Sequence, residues 1–160
     1  MSVVFSGDEI IEMAVKTEET GCDFYRMAEA NAASEPLKRL FEELARAELD
    51  HKETYLGLKG AIEEPAQGVP VDWEDVGKYI QAMTDSSFFL GGDKSINLAS
   101  KAATDKDALD FAIEFEKDTL LFFYHIKDIV KKANQPVVQK IIDEEKIHIR
   151  RLSEMKDSIE

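Results

Sequence analysis

The sequence predicts an all-α protein: a four-helix bundle made of two helical hairpins joined by a long crossover. Three observations predict it. Four long stretches repeat apolar residues in alternating steps of three and four, the period of an inward helix face. The breaks within each pair of stretches are short, which makes the partners antiparallel neighbours, whereas the break between the pairs is long. At mid-length each of the four apolar stripes is interrupted by glutamate, and two of them by histidine as well.

The first helix is expected from about Asp8 to Asn31, with the stripe Ile11, Ala14, Glu18, Gly21, Tyr25, Ala28 and Ala32. The second is capped by Ser34 ahead of Glu35-Pro36 and runs to about Gly60, its stripe Leu37, Phe41, Leu44, Glu48, His51, Tyr55 and Leu58. The third starts at the N-cap Thr104 and ends near Lys132, through Leu109, Ala112, Glu116, Thr119, Phe123, Ile126 and Val130. The fourth follows Asn134-Gln135-Pro136 and reaches the C-terminus through Val138, Ile141, Glu145, His148, Leu152 and Met155. The connection between the pairs carries Pro65, Gly68, Pro70, Gly91 and Gly92, with short helical patterns near Trp73 to Met83 and Asp93 to Ala102. A connection of that length can travel the whole bundle. The chain therefore reads as one domain over 1–160, with a hairpin at 8–60, a crossover at 61–103 and a second hairpin at 104–157.

Composition narrows the function. A net charge of -13 argues against nucleic-acid binding, which requires a basic footprint. No apolar run approaches the roughly 18 residues of a membrane span, and Met1 to Gly7 is too short and uncharged for a signal peptide. The single cysteine, Cys22, excludes an intramolecular disulfide and reads as a small buried hydrophobe. A cytoplasmic location is expected.

The two halves align as a repeat. Ala14 to Glu18 matches Ala112 to Glu116, Phe24-Tyr25 matches Phe122-Phe123, and both halves carry Glu-x-x-His, at Glu48–His51 and at Glu145–His148. Glu and His three apart lie about 60° apart around a helix, both on its inner side. Glu18 and Glu48 are equally far from their hairpin turn and meet at one level. Glu116 is further from its turn than Glu145, so the second pair of helices is expected to end unevenly. Four bare carboxylates in one core would each cost several kcal/mol. Two divalent cations carry four positive charges and neutralise them. Glu18, Glu48, His51, Glu116, Glu145 and His148 thus read as the ligands of a two-metal centre, with iron, manganese or zinc open on ligand type.

These motifs resemble the rubrerythrin branch of the ferritin-like diiron proteins, in the short form without a rubredoxin domain. The resemblance covers Asp8 to Gly60 and Thr104 to Lys156. It implies two iron ions per chain bridged by Glu48 and Glu145, with Glu18 and Glu116 as outer carboxylates and one histidine, His51 or His148, on each ion. It implies a diiron oxidoreductase that reduces hydrogen peroxide or dioxygen with electrons from an external donor such as a rubredoxin or a reductase. The alternative in the same fold is a ferroxidase-type protein that binds and hands on iron without sustained turnover. Two departures stand out. Rubrerythrins carry a further glutamate where this chain has Thr119, and no Cys-rich electron-supplying module is present.

Around the centre, Tyr25 follows Glu18 by about 10 Å along the helix. It can hydrogen-bond a ligand carboxylate or pass electrons, or serve as an amphipathic core residue. Tyr55 stands in the same relation to Glu48. Gly21 costs its helix about 1 kcal/mol relative to alanine, and either leaves room beside the metals or permits close helix packing. His125 points elsewhere. Phe111, Phe115, Phe122 and Phe89 read as packing residues, and Trp73 as an anchor for the crossover. Phe88, Phe89 and Leu90 suggest self-association into a homodimer.

Overall fold

The computed structural model describes residues 6–62 and 100–159, together with Lys78 and Ala82. The described residues include four long α-helices and one short 3₁₀ turn, and among them there is no strand. The helices are α1 (Gly7–Asn31), α2 (Glu35–Leu56), α3 (Asp105–Ile129) and α4 (Gln135–Ile159). Most of the expected crossover lies outside the described residues, including Trp73, Phe88, Phe89 and Leu90. Lys78, Ala82, Ser100 and Lys101 are helical and exposed.

Three of the four starts have a local chemical cause. Ser6 and Glu9 form a reciprocal capping box on α1, and Thr104 and Asp107 do the same on α3. The Ser34 hydroxyl accepts from the Leu37 amide, and Pro36 stands in the first turn of α2, where an amide proton is not missed. The second helix is shorter than expected. It ends at Leu56, and turns carry the chain through to Gly60, whose φ of 77° is open to glycine alone without strain. The third helix also stops early, at Ile129, because the Val130–Lys131 backbone leaves it to meet Ala61 and Ile62.

Hydrogen bonds at the two ends fix the topology. At one end Asp105, in the first turn of α3, accepts from the Ala33 amide in the α1–α2 turn. At the other, the Gly60 amide donates to Asp8, the Lys131 amide donates to the Ala61 carbonyl at 2.8 Å, and Ile62 pairs with Val130. The chain leaves the first hairpin at one end of the bundle and begins the second at the opposite end.

The expected stripes are the core. Every stripe residue of α1, α2 and α3 is buried, and so are those of α4 except the half-buried Met155. Two apolar clusters result. One, around Ile11, Tyr55, Phe123 and Ile141, fills the end near Ile62; the other, around Tyr25, Phe41, Leu109 and Leu152, fills the end near Ala33. Between them, at mid-height, lie the polar groups. Phe115 and Phe122 are buried, Phe111 is half-buried, and Cys22 is a buried free thiol. The unevenness expected of the second hairpin is real but small. Glu116 lies 13 residues before the end of α3, and Glu145 lies 10 after the start of α4. The offset of three residues is about 4.5 Å, under one turn, and the 3₁₀ turn Lys132–Asn134 sits in the connection that absorbs it.

Candidate metal centre

Each helix delivers one carboxylate to a single level of the core: Glu18 from α1, Glu48 from α2, Glu116 from α3 and Glu145 from α4, all with 0% exposure. His51 and His148, one turn beyond Glu48 and Glu145, reach the same level, and their rings stack at 5.6 Å. The structure brings all six sequence-predicted residues together. They form two overlapping groups whose ligand-type atoms lie within 4.8 Å of one another. One is Glu18, Glu48, His51 and Glu145; the other is Glu48, Glu116, Glu145 and His148. Glu48 and Glu145 belong to both. His125, expected to point elsewhere, is in neither.

Glu145 sits between the imidazoles, with His51 Nδ1 2.9 Å from Oε1 and His148 Nδ1 2.8 Å from Oε2. The first contact is close but poorly aligned for a hydrogen bond. Burial would raise the Glu145 pKa, and the two imidazoles outweigh it and hold the carboxyl below its ordinary range. Burial pushes Glu18 and Glu48 well above that range, and their carboxylate neighbours add to the effect. Glu116 is raised to about 7, by burial first and by Glu145 second. Burial would lower both imidazoles, but hydrogen bonds and charge from the carboxylates raise His51 to about 9 and His148 to about 10. The cluster on its own is thus a frustrated set of anions that relieves itself by holding protons.

That frustration tests whether metal fits. Among the described residues, both oxygens of Glu18 and of Glu48, one each of Glu116 and Glu145, and Nδ1 of His51 are buried without a hydrogen-bond partner. Buried polar atoms are rarely left so, and here the orphans point at one another across helices. Carboxylate oxygens and imidazole nitrogens are the donors that divalent first-row metals take. The residues present fit such ions.

Nearby groups shape the cluster. The Tyr25 hydroxyl donates a short hydrogen bond to Glu116 Oε1, so of its two expected roles Tyr25 meets the carboxylate partner. Among the described residues the fully buried Tyr55 hydroxyl has no partner, and its ring packs on Phe123 at 4.8 Å. Gly21 gives close packing rather than open room: a Cβ there would lie 3.0 Å from Phe115 Cε1 and 3.2 Å from the Glu48 carboxylate. Sequence reasoning passed over Glu144, whose Oε2 is 2.7 Å from His51 Nε2. The sequence shows only a carboxylate one residue before the second Glu-x-x-His motif, on what reads as an outer helix face; its turn toward α2 is visible in the structure alone.

A four-helix bundle with a buried carboxylate–imidazole cluster of this composition defines the ferritin-like diiron-carboxylate class. A solved structure from Thermotoga maritima, described as a ferritin-like diiron-carboxylate protein, is 30% identical and superposes with a TM-score of 0.71, covering 98% of this chain and 98% of that one. No curated protein matches. Residues 9–156 match the family model for rubrerythrin, and the chain belongs to the rubrerythrin family. No helix among the described residues is long and apolar enough to cross a membrane.

Proposed function

We propose that the cluster holds two iron ions and that the protein is an oxidoreductase reducing hydrogen peroxide or dioxygen with electrons from an external donor. The observation that carries this reading is the sharing of Glu48 and Glu145 by two ligand groups of like composition. Two shared carboxylates are what a bridged pair of ions uses. Glu18 and His51 would complete one position, and Glu116 and His148 the other. An iron pair held there would be able to supply two electrons to an oxidant.

The protein's own groups set the conditions. The four helices enclose the level of the carboxylates between two apolar clusters, which excludes bulk water above and below. Tyr25, donating to Glu116, fixes that carboxylate, and burial beside the glutamates pushes the tyrosine pKa up so that the hydroxyl keeps its proton at the edge of the centre. Electrons would reach the centre from an external donor such as a rubredoxin or a reductase.

Anaerobic loading with ferrous ion, followed by mixing with hydrogen peroxide or with dioxygen, tests the reading. Oxidation of two irons per chain, repeated when a reductant is supplied and lost in Glu48→Ala, supports it. One oxidation followed by release of iron points instead to ferroxidase-type iron handling. Oxidation no faster than that of free ferrous ion rejects both.

A further inference from the structure

The two halves of the cluster offer the same set of ligands, three carboxylates and one imidazole each, with two of the carboxylates in common. Their surroundings are not the same. His51 turns Nδ1 toward the carboxylates and presents Nε2 to Glu144 on α4, at 2.7 Å. The Glu144 side chain is 39% exposed, and its other oxygen lies 3.7 Å from Lys140 Nζ. It stands at the rim of a cleft between α2 and α4 that Asp50, Thr54 and Lys140 also line. The residue in the matching place of the other motif, directly before Glu48, is Ala47, which has nothing to offer an imidazole. Among the described residues the polar contacts of His148 all run through Nδ1. A second difference points the same way. Glu116, found only in the His148 group, receives the Tyr25 hydroxyl, whereas both oxygens of Glu18 in the His51 group are unengaged.

We propose that Glu144 is a positioning residue for His51 and that it makes the two metal positions unequal, with the position of Glu18, Glu48, His51 and Glu145 the tighter and first filled. The inference rests on the reading of the cluster as a two-metal centre. Its physical basis is simple. An Nε2–H donated to a carboxylate locks the ring's orientation, leaves the Nδ1 lone pair facing inward and makes that nitrogen a stronger donor. The Tyr25 hydrogen bond acts in the opposite sense on the other position, drawing charge from Glu116 before an ion can use it.

The test is an anaerobic titration of the metal-free, full-length chain with Co²⁺, followed by calorimetry and by the visible absorption of the bound ion. The wild type is expected to take up two ions in two resolved steps. Glu144→Ala should weaken the tighter step by roughly 10–100-fold, the usual effect of losing an outer partner of a metal-bound histidine. The second step should be much less affected. Glu144→Gln keeps an acceptor oxygen and should recover part of the loss. Because the side chain is partly exposed and outside the apolar clusters, the helical circular dichroism of both variants should match the wild type. Two-step binding unchanged by Glu144→Ala, or both steps weakened equally, overturns the inference and leaves the two-metal reading standing. A wild type that binds no Co²⁺ overturns both.

Discussion

Gly21→Ala separates what the fold gains from what the centre loses. In the middle of α1 an alanine stabilises the helix by about 0.5–1 kcal/mol relative to glycine. The added methyl carbon, however, would lie 3.2 Å from both Cδ and Oε2 of Glu48 and 3.0 Å from Phe115 Cε1. Carbon pairs rest at about 3.5–4.0 Å, so Glu48 and Phe115 must each retreat by roughly half an ångström. Phe115 can yield only slightly, because its ring stacks on the buried Phe24 with 13° between the planes. Glu48 therefore takes most of the shift. A displaced rotamer costs about 0.5–1.5 kcal/mol, which cancels most of the helix gain. The metal-free variant should unfold in urea within about 1 kcal/mol of the wild type, the difference of these two terms. Metal binding should suffer more, because Glu48 belongs to both ligand groups. A loss of roughly 10–100-fold in affinity is the scale expected when a ligand's placement is disturbed. Chelator competition with Co²⁺ measures it directly. Wild-type affinity in Gly21→Ala, with metal-free stability unchanged, would refute the view that this glycine makes room for Glu48.

Three further outcomes follow from the same geometry. Tyr25→Phe leaves Glu116 Oε1 buried without its donor, so urea denaturation of the metal-free protein should show a loss of about 1–3 kcal/mol; no loss would mean that the bond is not formed in solution. Thr104→Ala removes the capping box of α3 and should cost about 0.5–2 kcal/mol without changing metal stoichiometry, as denaturation paired with metal analysis would reveal. Without metal, the melting temperature should fall as pH rises from 6 to 9. The sign comes from the raised groups. Glu116 keeps its proton up to about 7 when folded, and His51 and His148 keep theirs to about 9 and 10, so the folded state holds protons that the unfolded chain has released. The imidazole contribution is complete below the unfolded value near 6.5 and disappears as pH climbs through the folded ones. Glu145, shifted the other way, is ionised in both states across this window and adds no slope. Metal binding, which expels those protons, should strengthen with pH. A metal-free protein more stable at pH 9 than at pH 6 would contradict the charge account.

Much of this was legible in the sequence because helix periodicity is a strong signal and buried glutamate is a rare event. Stripes with a three-and-four step placed Glu18, Glu48, Glu116 and Glu145 on inner faces, and the structure buries all four. Short and long breaks gave the hairpins, and the contacts of Asp105 with Ala33 and of Lys131 with Ala61 place the start of the second hairpin at the end of the bundle opposite to where the first one finishes. Helix ends were less legible, since α2 and α3 stop where the chain pairs with a distant segment, Ile62 with Val130. The role of Gly21 was open in the sequence because propensity reports its cost and not its neighbour on α2. Glu144 was missed for a related reason. Its position looks like an exposed helix face, and only the approach of α2 turns it into a partner for His51.

The central claim is the two-metal centre, and metal content tests it most directly. Elemental mass spectrometry on protein purified without chelator or added metal, and again after anaerobic ferrous loading, should find close to two irons per chain. Glu48→Ala and Glu145→Ala, each removing a carboxylate shared by both groups, should bind less than half as much. A wild-type chain that remains free of metal after loading, with its helices intact, would contradict the account.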